Sequence, residues 1–430
     1  MKIFYAVQMS NFTLDNGTPK WLMRNDACVN ICVGIVSTLL ERYPDFSFLI
    51  KLPPAADTSD VKNLDDLFEA KYLSRIEFYR ETIPVSPVTS RFNFDFGFHQ
   101  KHATEFKDVD VMINDENTLA KNWRHFFKSI GKDIPMVTTN YFLDSPILPK
   151  SEFKLRYYER QVESMFCSEA FAFPVEAAMK DALEAIDLLY RNRDGMGKPL
   201  VWGIGAYYGE VAKYHSPKRK ERPIIYFGNR ITDSVNRYTN WHSFAEAIGK
   251  LSELVDPSTF EAVMLNPTRK ATNSQLKEIN YLSKGHVRVI SNEDAGFTRE
   301  QYLKFINEAS ISCNIFTGEV HGGCTHIEAM MARNIMVAPA INDYLHKYKD
   351  SGKLDGYPFL FECDGKTIDT DLMAQKLQLA LEVVNTDGAS TLPFFGQLNE
   401  KLAIEYESYE RFAEKIGQDL LDLVPMKALA

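Results

Sequence analysis

The sequence predicts an α/β protein of two domains, each built on a parallel sheet with helices on both faces. Three observations lead there. The chain has 430 residues, more than one hydrophobic core usually serves, and two domains of about 200 residues are the natural division. Short apolar runs alternate with stretches of helical periodicity along nearly its whole length, the pattern of βαβ units. The alternation is interrupted once, at 205–222, where Tyr214 to Arg222 is polar, basic and carries a proline. The domain boundary is placed there.

The first series opens with a strand at 2–7 and a long loop at 8–26 that holds Asn11, Asn16, Gly17 and Pro19. Residues 27–42 have helical periodicity, and Phe46 to Ile50 form the next strand. Arg91 to Phe98 alternates strictly, which predicts a strand with four phenylalanines on its core face. Val109 to Asn114 and Ile134 to Thr139 read as buried strands. The second series runs strand 223–228, helix 239–253, strand 260–265, helix 272–282, strand 287–291 and helix 298–309. A βαβ unit follows, then a helix at Leu372 to Val384 and a nearly all-helical tail at 393–423. The expected division is 1–205, 223–392 and a returning C-terminal helix within 393–430.

Composition narrows the function. Hydrophobic residues make up 45% and charged residues 25%, as in ordinary soluble proteins. No run of eighteen apolar residues exists, so no membrane span or membrane partner is expected. Met1 to Val7 reads as a strand rather than a signal peptide, which predicts a cytoplasmic protein. Cys28 and Cys32 lie on one helix with no second pair to complete a zinc site, and read as small buried residues. His99 and His102 lack a convincing third ligand, so no metal is assigned. The net charge of −9 argues against a generally basic nucleic-acid coat, yet leaves a local basic surface open.

Two stretches carry chemistry. Gly322-Gly323-Cys324-Thr325-His326-Ile327-Glu328 lies between the apolar runs Ile311 to Phe316 and Ile335 to Pro339. Glycines let the backbone approach a ligand, and the helix start that follows offers N–H groups to a phosphate. Glu328, one turn in, suits the hydroxyls of a ribose; a buried glycine-rich turn with a solvated Glu328 fits the same letters. The second stretch is the loop Gly228 to Phe244 after the first strand of the second series. Arg230 and Arg237 there could clasp a diphosphate with planar N–H forks, or simply be solvated.

Together these stretches resemble the donor-binding half of a GT-B glycosyltransferase. That resemblance implies two Rossmann-like domains facing across a cleft, a C-terminal helix crossing back to the first domain, and no metal requirement. Glu319 and Glu328 have eight residues between them, one more than the retaining family-4 pattern. Arg237-Tyr238-Thr239-Asn240-Trp241-His242-Ser243-Phe244 and Thr325-His326-Ile327-Glu328 more closely resemble the T-even phage DNA α-glucosyltransferases, over 223–345. The resemblance implies transfer, with retention, from a UDP-sugar (UDP-glucose or a pentose such as UDP-arabinose) to 5-hydroxymethylcytosine in DNA. It implies an infected bacterial cytoplasm as the setting.

Residue by residue, Arg230, Arg237 and the amides of Gly322, Gly323, Cys324 and Thr325 would bind the diphosphate, and Glu328 the donor ribose or sugar. His242 stands where the phage enzymes have a lysine near the leaving phosphate. Asp144 would approach the acceptor, although a turn residue before Ser145-Pro146 explains it equally well. Asp115 reads as a helix cap, and His326 as an interior histidine. For DNA, Lys218, Arg219, Lys220, Arg222, Arg269 and Lys270 would form a basic rim, with the acidic surplus in the tail from Glu400 to Glu414. Two alternatives stay open: a GT-B glycosyltransferase with a polysaccharide or small-molecule acceptor, and a nucleotide-binding protein without catalysis.

Overall fold

The computed structural model describes residues 1–7, 12–15, 18–21, 23–24, 26–52, 63–80, 94–141, 155–190, 192–218, 221–229, 231, 240–266, 271–291, 298–315, 323–340, 356–363, 367–385 and 391–424. They form two compact units, Met1–Ile204 with Tyr409–Ala430, and Gly205–Ser408. Both are Rossmann-like, with a parallel central sheet.

In the first unit the strands are β1 (Lys2–Ala6), β2 (Phe12–Asp15), β3 (Thr18–Trp21), β4 (Ser47–Leu52), β5 (Ile76–Arg80), β6 (Val111–Asn114), β7 (Met136–Thr139), β8 (Ala170–Phe173) and β9 (Lys198–Val201). β2 and β3 form a separate antiparallel pair. The other seven make one sheet in the order β5-β4-β1-β6-β7-β8-β9, all parallel. The chain moves outward from β1 through β4 to β5, then returns to the other side of β1 at β6. Ligands of open α/β sheets collect at such a reversal, outside the carboxyl ends of the strands.

The helices of this unit are α1 (Ala27–Arg42), α2 (Phe96–Lys101), α3 (Ala120–Ser129), α4 (Leu155–Cys167) and α5 (Glu176–Tyr190), with the C-terminal helix described below. Asp26 caps α1 by accepting from the amides of Cys28 and Val29. α1 is buried along most of its length and packs against the C-terminal helix. Gly34 permits this contact: a Cβ there would come within 2.3 Å of the Tyr409 ring. Trp202 Nε1 donates to Asp419 Oδ2 at 3.1 Å and ties the same helix to β9's end.

The expected strand at 91–98 is corrected. Asp95 accepts from the amide of Phe98 at 2.8 Å and starts α2. Alternation misled because an N-cap outcompetes it: Phe94, Phe96 and Phe98 pack partly buried against the Phe4, Phe106 and Trp123 core from a cap and a short helix. Residues 91–93 lie outside the described residues.

The second unit contains β10 (Ile224–Phe227), β11 (Glu261–Asn266), β12 (Val287–Ser291), β13 (Ile311–Ser312) and β14 (Ile335–Met336), parallel in the order β12-β11-β10-β13-β14. The reversal here falls between β10 and β13. β15 (Ala338–Pro339) and β16 (Leu360–Phe361) form a small parallel pair. Its helices are α6 (Tyr208–Ala212), α7 (Trp241–Leu254), α8 (Asn273–Leu282), α9 (Arg299–Glu308), α10 (Cys324–Met331), α11 (Thr370–Asn385) and α12 (Thr391–Glu407). Capping boxes, Thr272 with Gln275 and Thr298 with Gln301, fix the starts of α8 and α9. The tail is two helices rather than one: α12 stays in the second unit, and α13 (Tyr409–Leu423) joins the first and packs on α1. No described helix is long and apolar enough to cross a membrane.

Candidate active site

In the second unit, polar side chains gather at the carboxyl ends of β10, β11 and β13. Asn314 follows β13; its Oδ1 accepts from the amide of Gly228 at 2.6 Å, and its Nδ2 donates to Ser312 Oγ at 3.0 Å and to the Thr325 carbonyl at 3.3 Å. Thr325 Oγ1 donates to Asn229 Oδ1 at 3.1 Å. Asn266, the last residue of β11, accepts from the amide of Ile231 at 3.4 Å. One network thus binds the loop after β10 to the first turn of α10. Gly323 is the N-cap of α10 and makes no side-chain cap bond; helix starts of this kind attract anions. Cys324 and Thr325 occupy that first turn, half-buried.

Glu328 sits deeper. It is buried at 3% exposure, so it is not the solvated carboxylate of a plain turn. Its Oε1 lies 2.5 Å from Arg299 Nη2, and its Oε2 accepts from Tyr302 Oη at 2.9 Å. The same guanidinium reaches Glu210 at 3.0 Å. Burial opposes the Arg299 charge, but the carboxylates of Glu328 and Glu210 outweigh it, and its pKa stands above that of an ordinary arginine. Burial and the Glu328 carboxylate push the Tyr302 phenol well up. His326 is interior, with its pKa pushed down to about 3 by burial.

His242 occupies the first turn of α7. It stacks on Trp241 and its Nε2 lies 3.3 Å from Glu278 Oε1 on α8. Burial lowers its pKa despite that carboxylate, so the ring is neutral at pH 7. The start of α7 adjoins the same sheet edge, since the Asn240 amide donates to the Ile315 carbonyl at 3.4 Å. Arg230, Arg237, Gly322 and Asp144 lie outside the described residues, as do Arg219, Lys220, Arg269 and Lys270.

Lys218 is not on a basic rim. Its ammonium is boxed in by the carbonyls of Asn307 and Ala332 and by Asn334 Oδ1, stapling the ends of α9 and α10. Burial pulls its pKa down to about 7. Arg222 is exposed but donates its Nε–H to the Phe260 carbonyl at 2.9 Å. Glu400 is not a surplus surface acid either: it is largely buried between Arg333 and Tyr208.

The first unit has its own polar centre at the β1–β6 reversal. Asp115 follows β6 and is buried; its Oδ1 accepts from Tyr5 Oη on β1 at 3.2 Å and from Thr139 Oγ1 on β7 at 3.0 Å. Its Oδ2 has no hydrogen-bond partner among the described residues. Burial raises its pKa to about 7, with Glu116 and Asp26 adding to the rise against the bonds from Thr139 and Tyr5. The helix-cap reading of Asp115 is corrected: Leu119 is the N-cap of α3, without a side-chain bond. His99 is buried against Tyr79 Oη at 2.7 Å, and His102 pairs with Glu105. No group of three metal-binding side chains occurs among the described residues.

No family model and no curated protein matches the chain. Solved structures do. A trehalose 6-phosphate synthase of Burkholderia multivorans matches with a TM-score of 0.63 and 11% identity, covering 98% of both chains. A trehalose-6-phosphate protein of E. coli bound with UDP-2-fluoro glucose matches at 0.65 and 13%, covering 99% of this chain and 100% of that one. HepE of Anabaena, in complex with UDP, matches at 0.63 and 13%, covering 98% and 100%. The chain has the GT-B fold.

These similarities correct the resemblance to the phage DNA glucosyltransferases. Structures matching end to end include trehalose 6-phosphate synthases, HepE and a glycosyltransferase of Rickettsia africae, and they give no support for 5-hydroxymethylcytosine in DNA as acceptor or for a phage setting. The motif resemblance rested on a donor half that many acceptor chemistries share. Lys218, the first residue of the expected DNA rim, is meanwhile spent on internal carbonyls.

Asp115, Asn229 and Asn266 are candidate site residues that the sequence alone did not single out. Their signal was present: each is a polar residue at or just beyond the carboxyl end of a buried parallel strand, where such sheets bind ligands.

Proposed function

We propose that the chain is a UDP-sugar-dependent glycosyltransferase whose acceptor is a sugar or another small molecule. The observation that carries this reading is the β10–β13 reversal, where the glycine-capped start of α10 and three buried asparagines meet at the carboxyl edge of a parallel sheet. That edge suits a nucleoside diphosphate. Solved proteins of the same fold, bound with UDP-2-fluoro glucose or with UDP and glucose, favour UDP-glucose over a UDP-pentose as donor.

In this reading the first amides of α10, from Cys324 and Thr325, stabilise charge developing on the leaving diphosphate. Arg230 and Arg237 belong to the loop that would supply cations. His242, neutral at pH 7, would offer an N–H or a lone pair rather than a charge. On the acceptor side, Asp115 replaces Asp144 as our choice. Its unpaired oxygen would orient an acceptor hydroxyl, and a pKa of about 7 suits it to accept that proton near neutrality.

The test is incubation with a panel of UDP-sugars and a panel of sugars and sugar phosphates, read by UDP release and product mass. Acceptor-dependent UDP release with a glycosylated product is expected. Release of no UDP from any pair, with or without acceptor, overturns the proposal and favours binding without catalysis.

A further inference from the structure

Two buried N–H2 groups at the second unit's sheet edge have no partner among the described residues. Asn229 is 5% exposed and Asn266 is 1% exposed, and the Nδ2 atoms of both are unsatisfied. The orientation of Asn266 is fixed from the other end. Asn266 Oδ1 accepts from the Ile231 amide, which only an oxygen can do. Asn229 Oδ1 accepts from Thr325 Oγ1, itself on the first turn of α10. A buried amide left without an acceptor is destabilising, and most buried polar groups in folded proteins have a partner. Both flank Ile231, and Asn229 adjoins a helix start that has no side-chain cap. The missing partner is therefore an acceptor, rich in oxygen and favoured by a positive helix end.

We infer that Asn229 and Asn266 donate directly to phosphate oxygens of the bound nucleotide-sugar, as neutral binding residues beside the helix amides. This rests on the proposed donor site and names the groups in it that the sequence reading passed over in favour of arginines. The chemistry is specific. A carboxamide adds N–H donors without a counter-charge, so the leaving diphosphate can be released again.

The test uses the full chain and calorimetric titration with UDP, uridine and inorganic pyrophosphate. Asn266→Asp keeps the shape and the oxygen that receives the Ile231 amide, but replaces the donor with a second oxygen. Asn229→Ala removes the other donor and leaves Thr325 free to turn. Each should weaken UDP and pyrophosphate binding about ten- to hundredfold, the range of a hydrogen bond to a charged group, and leave uridine unchanged. Wild-type affinity for UDP in both variants overturns the inference while leaving the glycosyltransferase reading standing. Weakening of uridine to the same degree as UDP also overturns it, because the partner is then the nucleoside. If the wild type binds no UDP, the glycosyltransferase reading fails, and pyrophosphate decides the inference: binding lost in the variants supports it, and no wild-type binding overturns it.

Discussion

Replacing Glu328 by alanine should unfold the second unit more readily, and the size of the effect can be worked from its contacts. The carboxylate is buried and holds Arg299 at 2.5 Å and Tyr302 at 2.9 Å. Without it, the Tyr302 hydroxyl loses its acceptor, at about 1–3 kcal/mol. Breaking a buried ion pair from one side costs about 3–5 kcal/mol. Arg299 keeps Glu210 at 3.0 Å, so its charge is not abandoned and the lower end applies. The two losses share one cluster and do not simply add; a combined cost of about 3–5 kcal/mol is expected. For a unit of roughly 200 residues that is a fall of about 10 °C in melting temperature. Scanning calorimetry of the wild type and Glu328→Ala, without ligand, checks it. A shift below about 2 °C would refute the reasoning, and would mean that Glu328 is set aside for ligand rather than for Arg299.

Three further outcomes are expected. Asp115 has a folded pKa of about 7 against an unfolded value near 4, so the fold holds its proton between those values and its contribution to stability is lost as pH rises from about 4 to 7; Asp115→Asn should gain on the wild type across that window by up to about 4 kcal/mol, and urea melts at pH 5 and pH 8 that differ equally for both proteins would contradict this. His326, with a folded pKa of about 3, must charge on unfolding in acid, so it costs stability as pH falls from about 6.5 to 3, by about 1.4 kcal/mol per unit; His326→Phe should flatten the acid limb of the stability curve. Lys218→Met should lower the melting temperature by several degrees, since three internal acceptors lose their donor, and should leave retention on a DNA column at low salt where it was.

The fold was readable because its cause is local and repeated. Residues 27–42 were expected as a helix and form α1, and the expected second series from 223 to 309 recurs element by element as β10 to α9. Those segments pair a strong period with start signals such as Thr272 and Thr298. Local evidence failed at 91–98, where alternating phenylalanines imitate a strand and only the cap made by Asp95 decides otherwise. It failed again at Lys218, whose neighbours in sequence are basic but whose partners, Asn307, Ala332 and Asn334, are about 90 to 116 residues away. The site was legible as a place rather than as a set of residues. Gly323 and Thr325 are where the letters suggested, at a helix start beside the sheet's reversal. Whether a carboxylate there is open or paired depends on α9, and nothing near Glu328 in the sequence announces Arg299. Asp115 shows the converse: a residue that reads as a cap gains its interest from Tyr5 and Thr139, which only the parallel pairing of β1, β6 and β7 brings to it.

The central claim is that the reversal in the second unit binds the nucleotide of a UDP-sugar. Amide hydrogen exchange of the whole chain, with and without saturating UDP, tests it most directly. The account predicts slowed exchange at 228–231 and at 323–328, with the β1–β6 reversal around Asp115 unchanged until an acceptor is added. Protection confined to the first unit, or none at any UDP concentration, would contradict it.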